Sequence, residues 1–239
     1  MTAGGAAVVE VGGLSKRYGG LRPLRIERLV VREGERVALG GLDTAAAETL
    51  TSLLTGAALP DEGVVRVFGE PTADIADERA WLASLDRFGI VSPRAVLLSA
   101  STLAQNLAIP FTLEIEPVPA PVMDRVRALA AEVGLDEGLL DTTAGGAPPG
   151  AQARIHLARA VAHGPRLVIV EHPTVMVPPG DGPALAADLA RVAGARGFAV
   201  LAMTGDPAFA SALGGRRLTL DQASGRLAEA GGWRRWLGR

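Results

Sequence analysis

Traced by its apolar positions, the chain opens with short β-prone runs and continues into stretches where apolar residues return every three or four positions. Residues 8–11, 24–31 and 35–39 are rich in Val, Ile and Leu and bounded by glycine and charge, which predicts strands. Asp43 and Thr44 then offer side-chain oxygens that can cap a helix, with Ala47, Leu50, Leu53 and Leu54 at helical spacing and Gly56 as a fitting stop. Residues 63–68 read as another strand. Between 73 and 140, helical patterns alternate with the proline-broken PFTLEIEPVPAP, and Met123, Val126, Leu129, Ala130 and Val133 form one apolar face of a helix over 122–133. AGGAPPG, residues 144–150, is a loop, followed by the helix QARIHLARAVAHG. The unbroken apolar run in RLVIVEHP predicts a strand buried on both faces of a parallel sheet. A helix over 183–195, the strand FAVLAMTG and a short terminal pattern complete a mostly parallel α/β arrangement.

Composition narrows the chemistry. The 239 residues suffice for one large α/β domain, with or without a helical insert. Aromatics are only 4% against 48% hydrophobic residues, so Val, Leu, Ile and Ala must build the core. A formal charge of −2 gives no pull toward nucleic acid. Without cysteine there is no disulfide, thiolate metal site or cysteine nucleophile. No basic region precedes a long apolar run at the N-terminus, and no segment approaches a membrane span, which predicts a cytoplasmic location. Among 24 basic residues Lys16 alone is lysine, so any chemistry that requires a lysine elsewhere is excluded.

Five segments, in order, resemble the ATP-binding cassette of ABC transporters across residues 8–225. LSKRYGG resembles the region of the adenine-stacking aromatic, which falls on Tyr18. GERVALGGLDTAAAETLTSLLTGAALPDEGVVRVFG resembles the Walker A strand, loop and helix. RFGIVSPRAVLLSASTLAQNLAIP resembles the Q-loop, APPGAQARIHLARAVAHGPRLVIVEHPT the signature, its helix and Walker B, and VLAMTGDPAFA the switch segment. The resemblance implies a RecA-like P-loop NTPase sheet with an antiparallel β portion near the N-terminus and a helical subdomain over about 90–155. It further implies a single cassette over 1–239, ATP and Mg²⁺ as cofactors, and a membrane-spanning subunit and a second cassette, as homo- or heterodimer, as partners.

The motif positions depart from that family's pattern. A working P-loop has glycines whose amides surround phosphate, a lysine for the β/γ-phosphates and a hydroxyl for Mg²⁺. Here the matching segment is Gly41, Leu42, Asp43, Thr44, Ala45, Ala46, Ala47, Glu48 and Thr49. Thr44 and Ala46 stand at glycine positions, Ala47 at the lysine and Glu48 at the hydroxyl, with Thr49 one place late. Asp43 can cap the helix amides itself, competing with a phosphate for them. The Q-loop glutamine falls on Pro93, the signature reads APPGA with Gly150 kept, and the D-loop aspartate falls on Pro178. The Walker B carboxylate becomes Glu171, the following general base His172 and the switch histidine Gly205. Losses on both halves of a composite site imply a cassette that hydrolyses little or no ATP.

Several residues carry two readings. Tyr18 is either an adenine platform or a surface aromatic beside a Gly-Gly turn. Glu171 is a Mg²⁺ ligand or a strand-end acceptor of hydrogen bonds, and His172 a base or a structural residue. His156 and His163 read as ordinary helix residues, since their spacing fits no zinc site. PFTLEIEPVPAP either adjoins the surface that receives the membrane subunit or covers the domain's own core. GGWRRWLGR is a docking segment or a tail packed on the domain. Three functions follow: a structural or regulatory subunit of a transport complex, a divergent active ATPase, or a soluble interaction module on the same scaffold.

Overall fold

The computed structural model describes residues 5–229, so GGWRRWLGR lies outside the described residues. The chain begins with β1 (Ala7–Lys16), β2 (Leu24–Arg32), β3 (Arg36–Gly40), α1 (Thr44–Leu54), β4 (Glu62–Val67) and β5 (Glu70–Pro71). Next come α2 (Glu78–Leu85), β6 (Phe88–Val91), α3 (Leu103–Ala108), α4 (Ala120–Glu132) and α5 (Pro149–Val161). It ends with β7 (Leu167–Glu171), α6 (Gly182–Arg196), β8 (Ala199–Met203), α7 (Pro207–Leu213), β9 (Arg216–Asp221) and β10 (Arg226–Glu229).

Two sheets form. One is antiparallel, in the order β2-β1-β4-β5. The other runs β10-β9-β3-β8-β7-β6, parallel from β9 through β6 with β10 antiparallel at its edge. The side-chain period of two divides the parallel sheet between two cores. Val37, Leu39, Leu167, Ile169, Leu201 and Met203 face α1 and the antiparallel sheet. Ala38, Val168, Val170, Val200 and Ala202 face the helices on the other side. All five residues of β7 and of β8 are buried, which is why these segments read as continuous apolar runs.

Helix α1 lies against the sheet through Leu50, Leu53 and Leu54, at most 1% exposed, and each such burial is worth about 1.5–3 kcal/mol. It ends with Thr55 as C-cap, while Gly56 turns the chain at φ 72°. Helices α3, α4 and α5 pack on one another through Leu103, Leu107, Val126, Leu129, Ile155 and Leu157. Phe111, Ile115 and Val118 of the proline-broken segment pack against this same core, while Leu113 is exposed. The segment therefore covers the domain's own interior through these three side chains, while half of its residues are exposed.

One strand goes unpredicted, and two local expectations need correction. Strand β6 was not legible in the pattern, because Gly89 interrupts it; a Cβ there would lie 2.2 Å from the Ala160 carbonyl oxygen of α5. Helix α5 starts at Pro149, inside the segment read as loop, because proline is accommodated in a helix's first turn. Helix α4 likewise begins at Ala120, ahead of the expected 122, with Pro121 in its first turn.

Candidate functional site

Four parallel strands end side by side. Beyond β3 lies the 41–43 loop, beyond β6 Ser92 to Arg94, at the end of β7 Glu171 and His172, and beyond β8 Thr204 to Asp206. In open α/β sheets this C-terminal edge is where ligands bind.

The loop before α1 is shaped by its own side chains. Asp43 adopts an extended conformation as N-cap, and its carboxylate accepts the Ala46 amide at 2.8 Å. Ala46 and Ala47 are buried, so this turn presents methyl groups inward where a cationic side chain would have to emerge. Thr44 and Ala45 are exposed, and Thr49 donates its hydroxyl to the Ala45 carbonyl at 2.7 Å. Gly41 has φ 87°, and a Cβ on it would lie 2.4 Å from the Leu220 carbonyl oxygen, so the glycine serves packing against β9. Leu42, half-buried, packs against the α1-side core. Tyr18 packs on the same core and folds over Gly20, where a Cβ would meet its ring at 2.6 Å. Burial, and then the Asp43 carboxylate, raise the Tyr18 phenol above its ordinary value, so the structure does bring Tyr18 toward the loop. The single lysine, Lys16, is bound to Asp61 at 2.8 Å.

At the sheet edge Glu171 is 2% exposed and yet paired. The Ser92 hydroxyl donates to its Oε2 at 2.6 Å, and Arg94 Nη2 lies 2.9 and 2.8 Å from its two oxygens. Burial pushes the Glu171 carboxyl up, but the hydrogen bonds from Ser92 and Arg94, with the Arg94 charge, outweigh it and hold the carboxyl below its ordinary value. The same guanidinium reaches the other acid: Arg94 Nε is 3.2 Å from Glu48 Oε1. One arginine thus joins the carboxylate at the end of β7 to the one in the first turns of α1.

The motif pattern singles out Pro93 and not its neighbours Ser92 and Arg94, which the structure places at the site. Pro93 is exposed at the site's rim. The signal that could have found Arg94 is charge balance: two acids, Glu48 and Glu171, placed at one edge require a cation, and Arg94 is three residues beyond the neighbouring strand.

The remaining motif positions surround this clasp. His172 has φ 42°, begins a short 3₁₀ turn, and its buried Nε2 has no hydrogen-bond partner. A Cβ at Gly205 would meet nothing within 4 Å, so the switch position is open space. Beside it a recess of about 220 Å³ is lined by Gly40, Gly41, Thr204, Asp206 and Arg217 among others. Asp206 caps α7, accepting the Ala208 and Phe209 amides at 2.7 and 3.2 Å. In the Ala147–Ala151 segment two prolines lack N–H groups, and the Ala147 and Ala151 amides bond to Ala144 and Pro148 carbonyls, leaving Gly150 to supply the remaining donor. His156 lies in α5, where burial, and then the charge of Arg159, lower its pKa to about 4. It lines a cleft of about 360 Å³ between α5 and the loop after Pro93, with Gln152, Val96 and Val175.

Among the described residues no group of three or more His, Cys, Asp or Glu side chains is placed to hold a metal. With Arg94 on both Glu48 and Glu171, the residues at this edge do not fit Mg²⁺. Nor do the buried methyls of Ala46 and Ala47 supply a charge for phosphates.

Comparison with known proteins defines the class. The family model described as ABC transporter matches residues 25–175, and the chain belongs to this family. It is 34% identical over 198 residues to the phosphonates import ATP-binding protein PhnC of Anaeromyxobacter dehalogenans, covering 79% of this chain and 39% of that protein. It is 28% identical over 221 residues to the aliphatic sulfonates import ATP-binding protein SsuB 2 of Agrobacterium fabrum, covering 92% and 79%. The chain thus spans well under half of the phosphonates relative's length. Among solved structures, the dimeric bacterial ABC transporter cassette MJ0796 matches with a TM-score of 0.73 at 22% identity, over 93% of this chain and 97% of that one. The cbiO1 protein of Clostridium perfringens, part of the ABC transporter complex cbiONQ, matches with a TM-score of 0.75 at 18% identity, over 97% and 91%. These likenesses show the RecA-like cassette fold. No helix among the described residues is long and apolar enough to cross a membrane.

Proposed function

We propose that this ABC-family cassette hydrolyses little or no ATP and serves as a structural or regulatory subunit of a membrane transport complex, on its cytoplasmic side. The observation that carries the reading is the loop before α1. Asp43 takes the Ala46 amide at 2.8 Å, and a fully buried Ala47 stands where the family's pattern has its phosphate-binding lysine. Arginine does not replace it there, and Lys16 is committed to Asp61. A triphosphate would meet Asp43 and Glu48 with no cation of the loop's own, so ATP and Mg²⁺ bind weakly or not at all. The partners under this reading are a membrane-spanning subunit and a second cassette. Support for the first is the cleft beside α5, whose rim residues Val96 and Val175 are 77% and 70% exposed. Support for the second is the dimeric form of the matching bacterial cassette.

A divergent but active ATPase is the second reading, favoured by relatives whose names describe ATP-binding proteins. Phosphate release from Mg-ATP by purified protein separates the two. The first reading expects no turnover above buffer. Turnover that Glu171→Gln abolishes would establish the second. Stoichiometric copurification with a polytopic membrane protein supports the transport role, and its absence from every membrane complex would leave a soluble interaction module.

A further inference from the structure

We infer that Arg94 is a built-in cation: its guanidinium holds the position between Glu48 and Glu171 that a divalent metal ion would need, and closes this chain's site to that ion. The inference deepens the reading above and rests on it for the identity of the site.

The geometry is that of a bridged carboxylate pair. Nη2 contacts both oxygens of Glu171 at 2.9 and 2.8 Å, and Nε contacts Glu48 Oε1 at 3.2 Å. Any cation binding both acids must displace this guanidinium. Deprotonation cannot remove it, because a guanidinium stays charged at every accessible pH. Nor is the loop that carries it loose. The Arg94 amide donates to Ser92 Oγ at 3.2 Å, and Arg159 Nη1 donates to the Val96 carbonyl at 3.1 Å. Buried Asn106 accepts the Leu98 amide at 2.9 Å and donates to the Leu98 carbonyl at 3.1 Å. The loop is therefore fastened at 94, 96 and 98, which keeps the guanidinium over the two acids. Glu48 is the adaptable partner, its side chain 37% exposed, whereas Glu171 is fixed at 2%. Removing Arg94 leaves two carboxylates on one edge, beside the hydroxyls of Ser92 and Thr51, which is an oxygen donor set suited to a hard divalent ion.

The test uses Mn²⁺ alone, without nucleotide, read by the electron paramagnetic resonance signal of the free ion and by Mn²⁺-dependent melting. Wild type should leave Mn²⁺ free and melt at the same temperature with or without it. Arg94→Ala should bind Mn²⁺ at least about tenfold more tightly than wild type and gain thermal stability from it, and Arg94→Ala/Glu171→Gln should lose both effects. Should Arg94→Ala fail to fold, Arg94→Gln, which retains a neutral donor toward Glu171, carries the same comparison. Wild type that binds Mn²⁺ as tightly as the variant overturns the inference, as does a folded variant blind to Mn²⁺. Metal-dependent ATP turnover by wild type would overturn both the pseudo-ATPase reading and this inference, whereas Mn²⁺ binding by wild type without turnover would overturn this inference alone.

Discussion

Arg94 and Glu171 form one ion pair, yet removing them should have very different costs. In Arg94→Ala the Glu171 carboxylate, 2% exposed, keeps the Ser92 hydroxyl but loses its counter-charge. Stranding a buried charge in this way costs about 3–5 kcal/mol. Arg94 is 53% exposed, so water enters where it stood, and about 2–3 kcal/mol is the expected loss. In Glu171→Gln the stranded group is that half-exposed arginine, which rehydrates and keeps Glu48, while the amide oxygen still accepts from Ser92; the expected loss is about 1 kcal/mol. The double variant should therefore be more stable than Arg94→Ala alone, a coupling of about 1–2 kcal/mol. Urea unfolding followed by far-ultraviolet circular dichroism measures all four proteins. The pH dependence fixes the cause. The Glu171 carboxyl is held below its ordinary value, so its contribution is present above the unfolded-state pKa and is lost as pH falls through the lower folded-state value. The gap between wild type and Glu171→Gln should accordingly close in acid. Equal costs for Arg94→Ala and Glu171→Gln, or simple additivity in the double variant, would refute the reasoning.

Other predictions follow from the same geometry. Asn106→Ala removes hydrogen bonds to the Leu98 amide and carbonyl and to the Thr102 carbonyl, and should cost about 2–3 kcal/mol in denaturant unfolding, with faster amide exchange at 98. Gly41→Ala places a Cβ against the Leu220 carbonyl at φ 87° and should cost about 1–3 kcal/mol by the same assay. For His156, burial and then Arg159 lower the pKa from 6.5 to about 4, so the folded state resists a proton that the unfolded state accepts. Its contribution is complete above about pH 6.5 and declines toward pH 4, a loss of roughly 1–2 kcal/mol after allowing for its partial exposure. Across this range wild type should lose stability relative to His156→Gln as the pH falls, and parallel melting curves would show that His156 is not the cause.

The legibility of this protein divides along sequence separation. β7 and β8 could be read because burial on both faces leaves an unbroken apolar run, and α1 because its cap and its Leu50, Leu53 and Leu54 stripe are local. Asp43 as a cap belongs to the same class, since its partner is three residues away. The loss of a lysine at Ala47 was equally plain, requiring no structure at all. The start of α5 was obscured because Pro148 and Pro149 signal a loop and a helix's first turn equally well. β6 was hidden by Gly89, whose reason is an approach to α5 some seventy residues on. The clasp was the least legible part, because Arg94 meets Glu171 across 77 residues and only the sheet order makes the ends of β6 and β7 neighbours. The setting of His156 is hidden in the same way, because the loop after Pro93 that shares its cleft lies far from it in sequence.

Calorimetric titration of the purified chain with Mg-ATP, at protein and ligand concentrations able to register millimolar affinity, decides whether this cassette holds nucleotide. No saturable heat is expected, because the loop before α1 has no cation and Arg94 holds Glu48 and Glu171. Saturable binding in the micromolar range would contradict this expectation, for the segment from Gly41 to Thr49 would then hold a triphosphate without lysine.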